Sequence, residues 1–246
     1  MENIRLTSHL KVSVVIPALD EEQEIGQCLA SLARQTFGDF VVIVVDNGSK
    51  DATVSIARTF GALVVHEPRQ GVSYARETGF HAARSDIIVS TDADTEVPQN
   101  WLQRIHRTFV EDPNAVAVFG PYWYKPFFPR SGLASALIPH LSRALMFGQR
   151  MSWRFGHPYF SAANFAVRRE AFLKAGGFRS SKDGQIYSDW EDVQLGIKLH
   201  RIGKVCYLPD LVVLTSARNL KLDNARDILF GTPKKALRVQ VMGKDL

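Results

Sequence analysis

Cysteine is almost missing from this chain: Cys28 and Cys206 are the only two in 246 residues. They lie far apart in apolar surroundings, with no CxxC and no metal-ligand spacing. A disulfide scaffold is therefore excluded, and two core residues in a reducing compartment are the simpler reading. Long apolar runs are lacking as well, since the stretch 132–147 is broken by Pro139, His140 and Arg143, and no membrane span is expected. The segment MENIRLTSHLK shows no charged start followed by an apolar stretch, so it does not read as an export signal and a cytoplasmic location is expected. No GxGxxG follows the first apolar run and no GxxxxGK[ST] occurs anywhere, so neither a dinucleotide fingerprint nor a P-loop is present. Internal repeats and low-complexity segments are missing too.

Charge of either sign is unexceptional. Thirty Lys and Arg against 25 Asp and Glu give +5, an excess that suits an anionic partner such as a nucleotide, a phosphate or an acidic membrane. Nucleic acid has little support, because the basic residues are dispersed and the candidate ligand site is rich in acids. With 46% hydrophobic and 22% charged residues, the chain can bury a sizeable core. At ~150 residues per domain its length suggests one large domain or one domain with an appended lobe.

Short β-branched runs alternate with helical patterns through the first half: VSVVIP (12–17), FVVIVVD (40–46), ALVVHE (62–67), DIIVSTD (86–92) and AVAVFG (115–120). That rhythm predicts βαβ units. Ile25, Cys28, Leu29 and Leu32 share one helical face, and further helices are predicted over 51–60, 72–84 and 98–111, the last with Pro98 near its first turn. Unbroken valines indicate parallel strands buried on both faces. Beyond residue 120 the alternation breaks: 121–130 is aromatic and proline-rich, 131–152 is helix-like, and 157–215 is expected to elaborate the same sheet.

In an open α/β sheet ligands bind outside the carboxyl ends of the strands. Here the first strand runs into Pro17-Ala18-Leu19-Asp20-Glu21-Glu22, the second into Asp46-Asn47-Gly48-Ser49, and the fourth into Thr91-Asp92-Ala93-Asp94. These ends are expected to converge on one rim. Asp92 and Asp94, one residue apart, can present two carboxylates to a hard cation, for which magnesium or manganese is the natural choice. DAD equally suits the cap of the helix beginning near Pro98, and Asp46 to Asp51 equally suits a turn and a helix N-cap.

Taken in order, VSVVIPALDEEQEI, VDNGSKD, GVSYARETGFHAARSDIIVSTDADTEV and SDWEDVQLGIKLHRIG resemble the inverting family 2 glycosyltransferases over roughly residues 11–215. The resemblance implies an α/β, GT-A-type Rossmann-like fold with a mostly parallel central sheet and helices on both faces. Residues 11–218 would form its single domain, with a nucleotide-binding half (11–120) and an acceptor half (121–218), between an extension 1–10 and a tail 219–246. It implies a nucleotide-diphosphate-sugar donor, UDP-sugars favoured, a saccharide or lipid-linked acceptor, and a Mn2+ or Mg2+ cofactor. Pro17, Ala18 and Glu21 would line the nucleoside pocket, Asp46 would recognise the base, and Arg76 would face the same site. Asp92, with Ala93, would approach the ribose or a metal-bound water, while Asp94 would ligate the metal. Asp192 would be the catalytic base, with Glu191 its understudy, although acids at 189, 191 and 192 equally suit a helix N-terminus.

The resemblance also has departures. The family often carries Asn where Asp20 stands, Asp at Asn47 and Asn at Glu77, so nucleoside contacts there would differ. Many relatives place a His after the strand equivalent to 210–215; this chain reads LVVLTSARN, and Arg218 is the expected diphosphate ligand instead. Phe160-Ser161-Ala162-Ala163-Asn164 resembles the small-residue segment lining the sugar pocket, or a buried strand, and His157 reads as structural. Arg130, Arg143, Arg150 and Arg154 beside Leu133, Leu137, Leu141 and Leu145 suit peripheral contact of 130–155 with an anionic membrane, or an ordinary amphipathic helix packed on the domain.

Overall fold

The computed structural model describes residues 11–125, 161–179, 186, 191–216 and 218. The expected extension 1–10, the helix over 131–152, the stretch 130–155, His157, Phe160, Asp189, Trp190 and the tail 219–246 lie outside the described residues.

The first half alternates as the sequence rhythm predicts: β1 (Val12–Ala18), α1 (Ile25–Ala33), β2 (Phe40–Asp46), α2 (Thr53–Thr59), β3 (Leu63–His66), α3 (Val72–Ala82) and β4 (Ile87–Ser90). There follow β5 (Thr95–Glu96), α4 (Trp101–Glu111), β6 (Ala115–Phe119), β7 (Tyr122–Tyr124), β8 (Phe165–Arg168), α5 (Arg169–Lys174), α6 (Glu191–Ile202), β9 (Lys204–Tyr207) and β10 (Val213–Thr215). Seven strands form the central sheet in the order β3-β2-β1-β4-β8-β6-β9. All its pairings are parallel except those of β8, which runs antiparallel between β4 and β6. Every residue of β1 is buried, as a strand covered on both faces must be.

Two apolar layers do the covering. Val14 and Ile16 pack with Ile25, Leu29 and Leu32 of α1 and with Trp101, Ile105 and Phe109 of α4 on one face. On the other, Val15, Ile43 and Val45 pack with Phe80 of α3, Phe172 of α5, Phe178, and Leu195 and Leu199 of α6. Helix α3 approaches the sheet closely at Gly79, where a Cβ would stand 2.3 Å from Val15 Cγ1 and 2.7 Å from Val45 Cγ2. A side chain there forces α3 outward.

Some elements differ from expectation. The helix expected from 98 begins at Trp101; Pro98 lies in the preceding turn, its carbonyl accepting the Trp101 amide at 3.0 Å. The helix expected over 51–60 is Thr53–Thr59. A second sheet, β5-β10-β7, was not expected at all, because strands of two and three residues carry no readable period. It carries Thr215 and the residues after it back toward β4.

The strand switch after β7 depends on Asn164. Its Oδ1 accepts the Trp101 indole N–H at 2.9 Å, and its Nδ2 donates to the carbonyls of Pro121 at 2.9 Å and Leu211 at 2.6 Å. Asn164→Ala is expected to lower stability by at least the about 1–3 kcal/mol of a buried group left unpaired. Asn164→Asp should fall further, since a carboxylate would face two carbonyl oxygens. Denaturant midpoints should rank wild type above Ala and Ala above Asp; an Asp variant as stable as wild type would contradict this arrangement.

Candidate functional site

Strands β1 and β4 are parallel neighbours, and their crossovers leave in opposite directions, to β2 and toward β8. This switch point opens a crevice at the carboxyl ends, where an α/β sheet binds ligands. Ala18, Asp46 and His66 lie abreast across β1, β2 and β3, so three strand ends stop at one level.

The loop after β1 is laced to the loop after β2. Pro17 and Ala18 are buried strand residues, and Asp20 takes a positive φ of 53°, which Asp and Asn tolerate better than other side-chain-bearing residues. Asp20 Oδ1 accepts the Lys50 amide at 2.7 Å, Thr53 Oγ1 accepts the Glu21 amide at 2.7 Å, and Glu22 Oε2 accepts the Ala52 amide at 3.0 Å. Asp20 thus has a local structural role within the loops.

Asp46 is buried at the end of β2. Burial alone would raise its pKa, but the Ser49 hydroxyl and amide, His66 and the Gly48 amide outweigh it and hold the carboxyl below its ordinary value. It stays ionised, with its Oδ1 3.0 Å from the Ser49 amide and its Oδ2 3.3 Å from His66 Nδ1. Asn47 donates to the carbonyls of Glu67 at 2.8 Å and Arg69 at 2.7 Å, while its Oδ1 accepts the Gly71 amide at 2.8 Å. An Asp could not make the first two bonds, which gives this departure a physical reason. Glu67, held down to about 2 chiefly by the Arg69 guanidinium, fixes the same loop. Glu77, the other departure, points away from this rim: it accepts the Phe178 amide at 3.0 Å and pairs with Arg179 and His81.

The carboxylates after β4 do not cap α4, whose first turn lies beyond Asn100. Asp92 Oδ1 accepts Arg76 Nη2 at 3.0 Å, and Arg76 Nη1 donates to Glu191 Oε1 at 2.5 Å. Arg76 is only 3% exposed. Burial works against its charge, but Asp92, Glu191 and Asp192 more than compensate and hold it firmly protonated. Glu191 and Asp192 occupy the first turn of α6, so the helix-terminus expectation holds together with the ion pair. Burial pushes the Glu191 carboxyl up, against the pull of Arg76 and the Ser73 hydroxyl.

Asp94 accepts the Thr215 hydroxyl at 3.0 Å. Burial, then the charge of Asp92, push its carboxyl above the ordinary range, with Arg218 opposing them. Ala93 between the two acids is buried. Arg218 pairs with Glu21, and burial nevertheless raises the Glu21 carboxyl. Lys125 bridges Glu24 at 3.4 Å and Glu96 at 3.0 Å. Tyr124, its hydroxyl also pushed up by burial, is close enough to feel the charge of Asp94.

Arg76, Asp92, Asp94, Glu191, Asp192, Glu21 and Arg218 thus form one electrostatically connected group, while Asp46 stands apart, two strands from β4. Ala162, Ala163 and Asn164 are buried before β8, with Asn164 fully engaged in hydrogen bonds. Ser73, Thr215, Lys125, Glu24 and Tyr124 went unread. Ser73 lies one helical turn before Arg76 and was accessible to periodicity; the others arrive through the second sheet and its contacts.

Carboxylates outnumber cations here, and hard oxygens that repel one another are the donor chemistry a divalent cation suits. Among the described residues no three His, Cys, Asp or Glu side chains converge on one point, so Asp92 and Asp94 could supply only part of a coordination shell.

Asp94→Asn tests this electrostatics. A raised folded-state pKa means that the ionised form costs stability at neutral pH, a cost that disappears as pH falls through that value. Asparagine keeps an oxygen for Thr215 and removes the charge. The metal-free variant should therefore melt above wild type at neutral pH, with the gap closing on acidification; a midpoint at or below wild type at neutral pH would contradict the assignment.

A family model described as Glycosyl transferase family 2 matches residues 13–176. Glycosyltransferase AglE of Haloferax volcanii is 37% identical over 101 residues, covering 38% of this chain and 33% of its own length. The glucosyl-dolichyl phosphate glucuronosyltransferase of the same organism is 28% identical over 182 residues, 69% of this chain and 56% of its own length. The alignment thus spans about a third of the first relative and just over half of the second. Among solved structures, the mannosyltransferase PcManGT of Pyrobaculum calidifontis, in complex with GDP-Man and Mn2+, superposes with a TM-score of 0.65 at 22% identity, covering 89% of this chain and 60% of that one.

Proposed function

This chain belongs to glycosyl transferase family 2 and has the GT-A fold, and on that premise we propose that it moves one sugar from a nucleoside-diphosphate-sugar donor to an acceptor hydroxyl with inversion. The observation that carries the reading is the union, through one buried guanidinium, of the strand-end acids at Asp92 with the Glu191-Asp192 pair at the start of α6. Acids from two halves of the chain meet at the switch-point crevice.

Pro17, Ala18 and Glu21 would border the nucleoside, and the ionised Asp46 would accept from a base N–H. Arg218 would exchange Glu21 for the donor diphosphate, whose oxygens a guanidinium can take bidentately. Asp94 and Asp92 would hold Mn2+ or Mg2+ against that diphosphate, where the cation supplies Lewis-acid stabilisation of the departing charge. Asp192 would take the acceptor hydroxyl proton as that oxygen attacks the anomeric carbon from the face opposite the leaving group. Mn2+ in the PcManGT complex supports a divalent cation. UDP-sugars are the favoured donors by family resemblance.

A second reading draws on the glucosyl-dolichyl phosphate glucuronosyltransferase: the acceptor here would be lipid-linked, or a lipid phosphate that needs little help from a base. No helix among the described residues is long and apolar enough to cross a membrane. A binding module without turnover would release no nucleoside diphosphate from any donor.

Asp192→Asn separates these readings. General-base loss should lower turnover about 10²–10⁴-fold while donor affinity, read by titration, stays at the wild-type level. Near-normal turnover would overturn the base assignment and favour a phosphate acceptor, and a product of retained anomeric configuration, read by nuclear magnetic resonance, would overturn inversion. In a thermal-shift panel of UDP- and GDP-sugars with and without Mn2+, the true donor should raise the melting point only with metal. Asp94→Ala should abolish that metal-dependent shift, and Asp46→Ala should weaken nucleoside binding with the metal requirement intact.

A further inference from the structure

We propose that Arg76 and Glu191 are positioning residues, a buried bridge that holds Asp192 in register with Asp92 and Asp94, and that neither contacts the donor nor moves a proton. This rests on the reading of Asp192 as the general base. The family resemblance implied that Arg76 faces the nucleoside site and that Glu191 is an understudy to the base.

Both ends of the bridge are committed. Arg76 Nη2 is 3.0 Å from Asp92, Nη1 is 2.5 Å from Glu191, and the Arg76 and Glu191 side chains are 4% and 6% exposed. Two of its N–H donors meet carboxylates and Nε is buried without a hydrogen-bond partner among the described residues, so the guanidinium is sequestered with these acids. Glu191 is held from α3 twice, by Arg76 and by the hydroxyl of Ser73, which lies three residues earlier and so on the same helical face. Burial and these two partners tie Glu191 to α3.

Helix geometry then sets where Asp192 stands. Successive residues of an α-helix diverge by about 100°, so turning Glu191 inward to α3 turns Asp192 off that face. Asp192 still lies near enough to help hold the Arg76 charge that Asp92 and Glu191 pair with. The bridge spans 115 residues of sequence and joins the element that carries the base to the loop that carries the metal acids. A nucleophile and its base must be held to a fraction of an ångström, and a rigid charged fork buried under the crevice provides this.

The test is a double-mutant cycle on the full chain. Glu191→Gln keeps an oxygen for Arg76 but lowers the pull between them, and Glu191→Asp keeps the charge but withdraws it by one methylene. Each should lower kcat about 10–100-fold, the scale of a small misplacement of catalytic groups, with donor KM near wild type and a lowered but still cooperative melting transition. In an Asp192→Asn background, adding Glu191→Gln should cost less than about twofold, because a residue acting through Asp192 has nothing left to position. Losses that multiply across the two sites, or a raised donor KM with kcat unchanged, would overturn the bridge. Wild-type turnover in Asp192→Asn alone would instead overturn the base assignment, so the two failures are distinguishable.

Discussion

A guanidinium buried as deeply as that of Arg76 must be matched by fixed negative charge, and much of the candidate site follows from that need. An unpaired charge in this position would be far more costly than any surface ion pair is stabilising. Asp92 and Glu191 meet the requirement from opposite sides, one after β4 and one at the start of α6. Their commitment ties the loop after β4 to the helix carrying Asp192. Gly79, one turn further along α3, lets the helix lie close to Val15 and Val45 and so sets the depth at which Arg76 stands.

The carboxylates around the crevice fall into two electrostatic classes. Asp46 and Glu67 are held below their ordinary values by hydrogen bonds and cations, and they fix the loops beside β2 and β3. Asp94, Glu21 and Glu191 are raised, chiefly by burial. A folded chain that keeps ionised acids in such surroundings gives up stability at neutral pH, and ligand charge is the natural way to recover it. Arg218 shows the same logic from the cationic side: it is matched by Glu21.

The parallel half of the fold was legible because its signals are local. Valine-rich runs buried on both faces, the Ile25–Leu32 stripe and the acids at strand ends each report on a few adjacent residues. The antiparallel β8 was not legible, because a four-residue buried strand has the same pattern in either direction. The second sheet was hidden for a similar reason: Thr95–Glu96 acquires its meaning only from pairing with Val213–Thr215, far along the chain. Asn47 and Glu77 looked like altered ligand positions from sequence; the structure gives both to loop and helix packing.

By itself the sequence determined which residue types stand at each strand end, and hence the family, the α/β class and the acid-rich character of the rim. Those properties follow from periodicity and from motifs of adjacent residues. Only the tertiary structure decided which acids face which cations, because Arg76, Asp92 and Glu191 are brought within hydrogen-bonding distance by sheet order and helix docking. Side-chain partnership across 115 residues depends on the packing of α3 against two strands and α6, and no local pattern encodes it.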